Sequence, residues 1–384
     1  MIYHDQIYAK PLPTGFGKLL HMHWPLMLVV VSISAMGFVM LYSVAGGSLD
    51  PWARQQMVRF GLGMTMLFII ALTPLSVWRS LSVFAYVGAL ALLVAVEFSG
   101  EVGMGAQRWI DIGFMRLQPS EVMKVALVMV LAQYYAWLEP ERVSKPFWVA
   151  LPLIITAGPV ALVLTQPDLG TAILLCAGAA VVMFLAGMSW WYFGSAATAL
   201  IGLVSAVLLS RGTEWQILKD YQYRRIETFL NPEASPLGSG YHITQSKIAL
   251  GSGGISGRGL TEGTQSRLDF LPEKQTDFIF TTLAEELGLI GGLALLALYS
   301  LVIIFGTLSA LSNRDRFGAL LTAGLTATFF FFFAVNMAMV TGLAPVVGVP
   351  LPLVSYGGTA MLVLLGAFGL IQCAHVHRPR GAGP

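Results

Sequence analysis

The chain has 384 residues, 56% of them hydrophobic and only 11% charged, with a mean hydropathy of +0.73. Soluble domains average about 45–50% apolar residues, so a water-soluble globule is excluded and an all-α polytopic membrane protein is expected. A formal net charge of +2 offers no basic surface for nucleic acid, and Cys176 and Cys373, both inside apolar runs, exclude a disulfide framework.

Residues 1–23 read as a polar tail, and the apolar run that begins at Trp24 is too long for a cleaved signal peptide, so it is expected to stay as the first helix. Ten apolar segments reach the roughly 20 residues that a span requires. They cover 24–45, 54–72, 79–97, 119–138, 147–165, 169–187, 189–210, 277–305, 318–340 and 355–374. Residues 24–210 therefore give helices one to seven, 211–276 a cap loop, 277–374 helices eight to ten, and 375–384 a second tail. Orientation follows from Lys and Arg in the short connections. With both termini in the cytoplasm, that side holds Lys10, Lys18, Arg79, Arg142, Lys145, Arg314, Arg316, Arg378 and Arg380, against Arg54, Arg59, Arg108 and Arg116 outside. The long 211–276 loop is then outside. Its apolar anchors predict an ordered cap, with a short helix over Tyr241–Leu250.

Polar features gather on the outer half. Arg108-Trp109 sets a cation beside an interfacial aromatic. Gln118-Pro119-Ser120 reads as a helix start, which puts Glu121 and Lys124 at i and i+3, where they meet. Opposite charges inside a span pair with one another or line a cavity. In Gln166-Pro167-Asp168, Asp168 suits a helix cap or a site residue. The glycines at 251, 253, 254, 257 and 259 have no preceding strand and so make no nucleotide loop; they predict tight turns at the membrane surface. Pro272 suits a first helical turn. Asp277 then stands at the mouth of the eighth helix, with Thr281 and Glu285 on its face and Glu285 roughly 12 Å deeper. GVPLPLVSYGG (348–358) breaks apolar sequence with Gly and Pro, which suits backbone buried in protein or lining a cavity; Ser355 and Tyr356 are its polar residues. Phe329–Phe333 reads as a lipid-facing or packing run, and His375 with His377 as an end anchor. Together the acids, cations and glycine turns suit a lipid-linked, phosphate-bearing, polar substrate. Residue chemistry alone leaves a transferase and a flippase both open.

The stretches GAQRWIDIG, LQPSEVMK, QPDLGTA, FLNPE, GSGYHITQSKIALGSGG, GTQSRLDFLPEKQTDFIF, AEELG and GVPLPLVSYGG make the chain resemble the SEDS family (shape, elongation, division, sporulation) over about residues 24–378. Within it, the form of the last stretch and the short amino-terminal tail are similar to the rod-elongation members rather than the division type. The resemblance implies a peptidoglycan glycosyltransferase of the bacterial cytoplasmic membrane that polymerises lipid II. The donor is glycan on undecaprenyl pyrophosphate, the acceptor is the 4-hydroxyl of an incoming sugar, and the β-1,4 bond forms with inversion. It implies Asp277 as base or metal ligand, Glu121 and Lys124 as an essential pair, and Arg108, Trp109 and Asp168 as outer-cavity positions; the residue reading adds Gln166, Glu285, Ser355 and Tyr356 toward substrate or pyrophosphate. It also implies a class B penicillin-binding protein (a transpeptidase) as partner, touching helices eight and nine and the cap, among other elongation-complex proteins. The charge of the leaving group, with no His or Cys cluster, predicts a divalent cation on oxygen ligands, magnesium or manganese. The competing readings are a lipid II flippase, a division-type member, and a non-catalytic scaffold. A transporter with inverted repeats would show them in the sequence, and none stands out.

Overall fold

The computed structural model describes residues 15, 17–103, 106–111, 113, 116–216, 223, 239–268, 270–271 and 273–379. Among these, eleven helices of 14 residues or more follow in chain order: α1 (Trp24–Val44), α2 (Trp52–Leu72), α3 (Leu75–Ser99), α4 (Pro119–Trp137), α5 (Pro146–Thr165), α6 (Leu169–Leu185), α7 (Trp190–Leu209), α8 (Ser239–Ser252), α9 (Ile279–Leu311), α10 (Arg316–Val340) and α11 (Gly358–Val376). A small antiparallel sheet, β1 (Glu101–Gly103), β2 (Ala106–Asp111) and β3 (Arg116–Leu117), joins α3 to α4. Eight helices are long and apolar enough to cross a membrane. The other two expected spans are α6, with 17 residues, and α4, which carries Glu121 and Lys124. The ten expected spans are thus all helices, and α8 covers the short helix expected at 241–250.

Packing sets the arrangement. α4 is central, touching α3, α5, α6, α10 and α11, and its Met123, Leu127 and Leu131 are fully buried. α7 is the opposite case: none of its residues is buried. α2 and α11 pack together where Gly63 receives the Leu365 side chain and Gly369 lies against Ile70 and the Leu67 backbone. The phenylalanine run divides by face. Phe329 and Phe332 are core, Phe329 against Tyr299 and Phe368, while Phe330 is exposed. The far end of the bundle is tied by the Arg79–Asp315 ion pair at 2.5 Å and by Arg316 on the Leu138 carbonyl at 2.7 Å. There His375 Nδ1 meets Ser309 Oγ at 2.9 Å.

Three boundaries differ from expectation. α3 starts four residues early, after Pro74, so Arg79 lies inside it and reaches Asp315. α11 starts at Gly358, leaving Ser355–Gly357 in the loop. α9 starts at Ile279, not at Pro272 or Asp277, because residues 273–278 form turns instead; Pro272 itself lies outside the described residues. The FLNPE stretch of the cap also lies outside them.

α9 is broken at Gly288, whose φ of 67° and ψ of −164° only glycine adopts readily. A break inside lipid is tolerable only when its freed backbone groups find partners. The glycine loop after α8 supplies them. Arg258 N–H donates to the Glu285 carbonyl at 3.0 Å and Gly259 N–H to the Glu286 carbonyl at 3.1 Å. In return Leu289 N–H donates to the Gly254 carbonyl at 2.9 Å and Ile290 N–H to the Ile255 carbonyl at 3.2 Å. The approach requires bare backbone: a Cβ at Gly257 would overlap the Glu286 carbonyl, and one at Gly288 the Gly257 nitrogen. Residues 289–311 alone are about 34 Å long, enough for a hydrocarbon core of about 30 Å.

Candidate active site

Asp277 sits in the turn that leads into α9. Glu273, at φ 58°, starts that turn: its carbonyl takes the N–H of Thr276 at 3.0 Å and of Phe278 at 3.4 Å, and its carboxylate takes Thr276 Oγ1 at 3.0 Å. The 348–358 loop and α10 fasten the turn from the other side. Ser355 Oγ donates to the Thr276 carbonyl at 2.5 Å, Tyr356 N–H to the Gln275 carbonyl at 2.8 Å, and Asn336 Nδ2 to the Asp277 carbonyl at 2.9 Å. Three bonds on three successive carbonyls fix the main chain under the carboxylate. The carboxylate itself accepts no hydrogen bond from the described residues, and a Cβ at Gly348 would stand 3.6 Å from its Oδ2. Burial first, then the negative charges of Glu273 and Asp168, push the Asp277 carboxyl from 3.8 up to about 7.

Asp168 approaches across the same loop. Gly170 makes this possible, since a Cβ there would lie 2.9 Å from the Val347 carbonyl. Asp168 caps α6, accepting Thr171 N–H at 3.1 Å and Thr171 Oγ1 at 3.0 Å. Arg108, from β2, donates Nε to the Gln166 carbonyl at 3.0 Å and Nη2 to the Pro167 carbonyl at 2.6 Å, and its Nη1 lies 3.8 Å from Asp168. The guanidinium thus clamps the turn that presents Asp168. Gln166 turns its amide inward to the Leu93 carbonyl. Trp109 follows on β2 and so projects to the opposite face from Arg108.

Glu121 and Lys124 pair at 2.6 Å with side chains about 5% and 3% exposed, and Lys124 Nζ stands 3.7 Å over the Phe332 ring. The charge of Asp168 also reaches Lys124. The pair lines a narrow cleft with Val125, Thr328, Phe332 and Leu364 among its walls. A second small cavity shares Phe332 and Leu364 and is lined by Pro350, Leu351 and Ser355. Neither is lined by Asp277.

Glu285 takes a different place from the one expected. Fully buried, it accepts Thr264 Oγ1 at 3.0 Å and Gln265 N–H at 3.1 Å, both from the cap. Glu286 is held by Ser43 Oγ, which also takes Thr261 N–H at 2.9 Å. The structure brings Asp277, Asp168, Arg108, Gln166, Ser355 and Tyr356 to one end of the bundle and gives both glutamates to the seam between cap and α9.

Four polar residues here escaped the sequence reading. Gln56 donates Nε2 to the Ser355 carbonyl at 3.0 Å. Gln55 accepts the Tyr356 hydroxyl at 2.5 Å. Arg59 lies 4.8 Å from the Tyr356 ring, with its Nη1 shielded and without a partner. Asn336 is the fourth. A lone amide or cation within an apolar helix was the available signal.

Residues 22–380 match the family described as "Cell cycle protein" (FTSW_RODA_SPOVE). The chain is 40% identical over 369 residues to peptidoglycan glycosyltransferase MrdB of Escherichia coli (strain K12), covering 96% of this chain and 97% of that one. It is 35% identical over 362 residues to the probable peptidoglycan glycosyltransferase FtsW of Trichlorobacter lovleyi, covering 90% and 91%. Among solved structures, one described as "Structural coordination of polymerization and crosslinking by a peptidoglycan synthase complex" superposes with a TM-score of 0.77 at 31% identity, covering 92% of this chain and 97% of that one. The rod shape determining protein RodA of Thermus thermophilus gives a TM-score of 0.68 at 29% identity, covering 93% and 97%. A match over nearly the whole length, with the same backbone course, places this chain in the FtsW, RodA and SpoVE family of multi-pass membrane proteins.

Proposed function

We propose that the chain is the peptidoglycan glycosyltransferase of cell elongation, polymerising lipid II at the end of the bundle that carries Asp277. The observation that carries this reading is Asp277: a carboxylate that accepts no hydrogen bond from the described residues, on a main chain fastened at three successive carbonyls, with its pKa at about 7. A general base works best near the operating pH. The acceptor 4-hydroxyl attacks the anomeric carbon of the donor from the face opposite the pyrophosphate. Its proton passes to an Asp277 oxygen, the new C–O bond forms, and the bond from that carbon to the pyrophosphate oxygen breaks with inversion.

Arg108 and Lys124 are not free to meet the leaving group. Arg108 is occupied by two carbonyls and Asp168, and Lys124 by Glu121 and Phe332. Among the described residues no three His, Cys, Asp or Glu side chains are grouped to hold a metal. One open carboxylate plus substrate phosphates is, however, a donor set that suits magnesium or manganese. In the ligand role, the alternative to the base role, Asp277 would hold such an ion, which would supply positive charge to the pyrophosphate. Glu121 and Lys124 shape the cleft below, and Asp168, Arg108 and Trp109 its rim.

Both termini face the cytoplasm and the Asp277 end faces outward, as the charge count of the short loops favours. The partner is a class B penicillin-binding protein. Its contact surface is the exposed apolar strip Ile255, Leu289, Ile290 and Leu293 where cap meets α9. The test is the purified chain with that partner, labelled lipid II and a divalent cation, read as glycan ladders. Ladders are expected. Their absence from a folded, partner-bound preparation would refute the reading.

A further inference from the structure

We propose that Asn336 is a positioning residue for the reaction, setting Asp277 relative to the 348–358 loop; this rests on Asp277 being the acting carboxylate. Asn336 is fully buried in α10. Its Nδ2 donates one hydrogen to the Asp277 carbonyl at 2.9 Å and the other to the Val349 carbonyl at 2.7 Å. Two acceptors on one nitrogen settle which end of the amide is which, because the flipped form would set Oδ1 against two carbonyl oxygens. One side chain therefore ties three segments: α10, the turn before α9, and the loop before α11. The Val349 arm holds the neighbour of Gly348, the residue that faces the Asp277 carboxylate. The Asp277 arm holds that carboxylate's own main chain. Ser355 and Tyr356 fasten only the two carbonyls before it.

Among the described residues Asn336 Oδ1 has no hydrogen-bond partner, so the bonds this side chain makes are the two that its Nδ2 gives to the site.

The experiment uses the full chain in complex with its transpeptidase, in detergent or nanodiscs, measuring kcat and KM for lipid II and the apparent Tm. Wild-type polymerisation in this assay tests the function itself, separately from Asn336. Three variants follow: Asn336→Ala, which removes both bonds; Asn336→Asp, near-isosteric but without the donors; and Met339→Ala, an equally buried change on α10 that leaves the site contacts alone. The two Asn336 variants are expected to lower kcat by at least roughly 30-fold, as a misplacement of about 1 Å does, with KM changed less than about threefold. Met339→Ala is expected to lower Tm at least as much and keep kcat within about threefold. The proposal is overturned if Asn336→Ala keeps kcat within threefold of wild type, or if Met339→Ala loses kcat in proportion to its Tm. Failure of both Asn336 variants to fold would also overturn it, making the residue structural.

Discussion

Asp277→Asn separates chemistry from stability. The side chain keeps its shape but neither accepts the hydroxyl proton usefully nor neutralises a cation. In the wild type, burial and the charges of Glu273 and Asp168 raise the carboxyl from 3.8 to about 7. A rise of about three units corresponds to roughly 4 kcal/mol at 1.36 kcal/mol per unit, and water reaching the half-buried turn reduces it. The sign follows from linkage. Between about pH 4 and 7 the folded state holds a proton that the unfolded chain has released, so folding weakens as pH rises through that window, and the full penalty is present above about 7. The Asn form lacks this term. Its apparent Tm should match wild type near pH 4 and exceed it by several degrees at pH 8, while ladder formation is abolished at every pH. Wild-type polymerisation should fall as pH drops below about 7, as the base becomes protonated. Ladders at matched protein levels, with Tm measured from pH 4 to 8, make the assay. Robust polymerisation by the Asn form, or a Tm difference that stays flat with pH, would refute the reasoning.

Lys124→Ala leaves Glu121 charged and buried, at an expected loss of about 3–5 kcal/mol, and should lower both melting temperature and activity; exchanging the two charges should restore folding better than activity. Unchanged stability and rate in Lys124→Ala would show that the 2.6 Å pair is dispensable. Exhaustive chelation should stop polymerisation, and added magnesium or manganese should restore it; full activity after chelation counts against the cation. Ile290→Trp, on the exposed strip of α9, should lower activity of the complex without changing the melting temperature of the chain alone. Cross-links that place the partner's helix elsewhere would exclude that surface.

The spans were legible because 20-residue apolar runs admit few other structures, and each one became a helix. The Glu121–Lys124 pair was legible from spacing alone, since i and i+3 meet on any helix. Glu285 was not. Its partners, Thr264 Oγ1 and the Gln265 N–H, come from the cap about 20 residues earlier, and no local pattern reports such a contact. The start of α9 was misplaced for a related reason: residues 273–278 carry helix-compatible residues, but Ser355, Tyr356 and Asn336 hold their carbonyls in turns. Asn336 went unread because a single amide in a Phe- and Met-rich helix gives no periodic signal, and its partners are main-chain atoms that any sequence provides.

The seam at Gly288 also governs which substitutions the chain can accept. Its four hydrogen bonds are between main-chain atoms, so they place no demand on side-chain identity at Gly254, Ile255, Arg258 or Gly259 as donors or acceptors. What they do demand is empty volume at Gly253, Gly257 and Gly288, where any Cβ would overlap the opposing backbone. A saturation library across 250–292 should therefore return glycine alone at those three positions and strongly favour it at Gly259, whose φ is 107°. Tolerance at these positions is set by how near two backbones come.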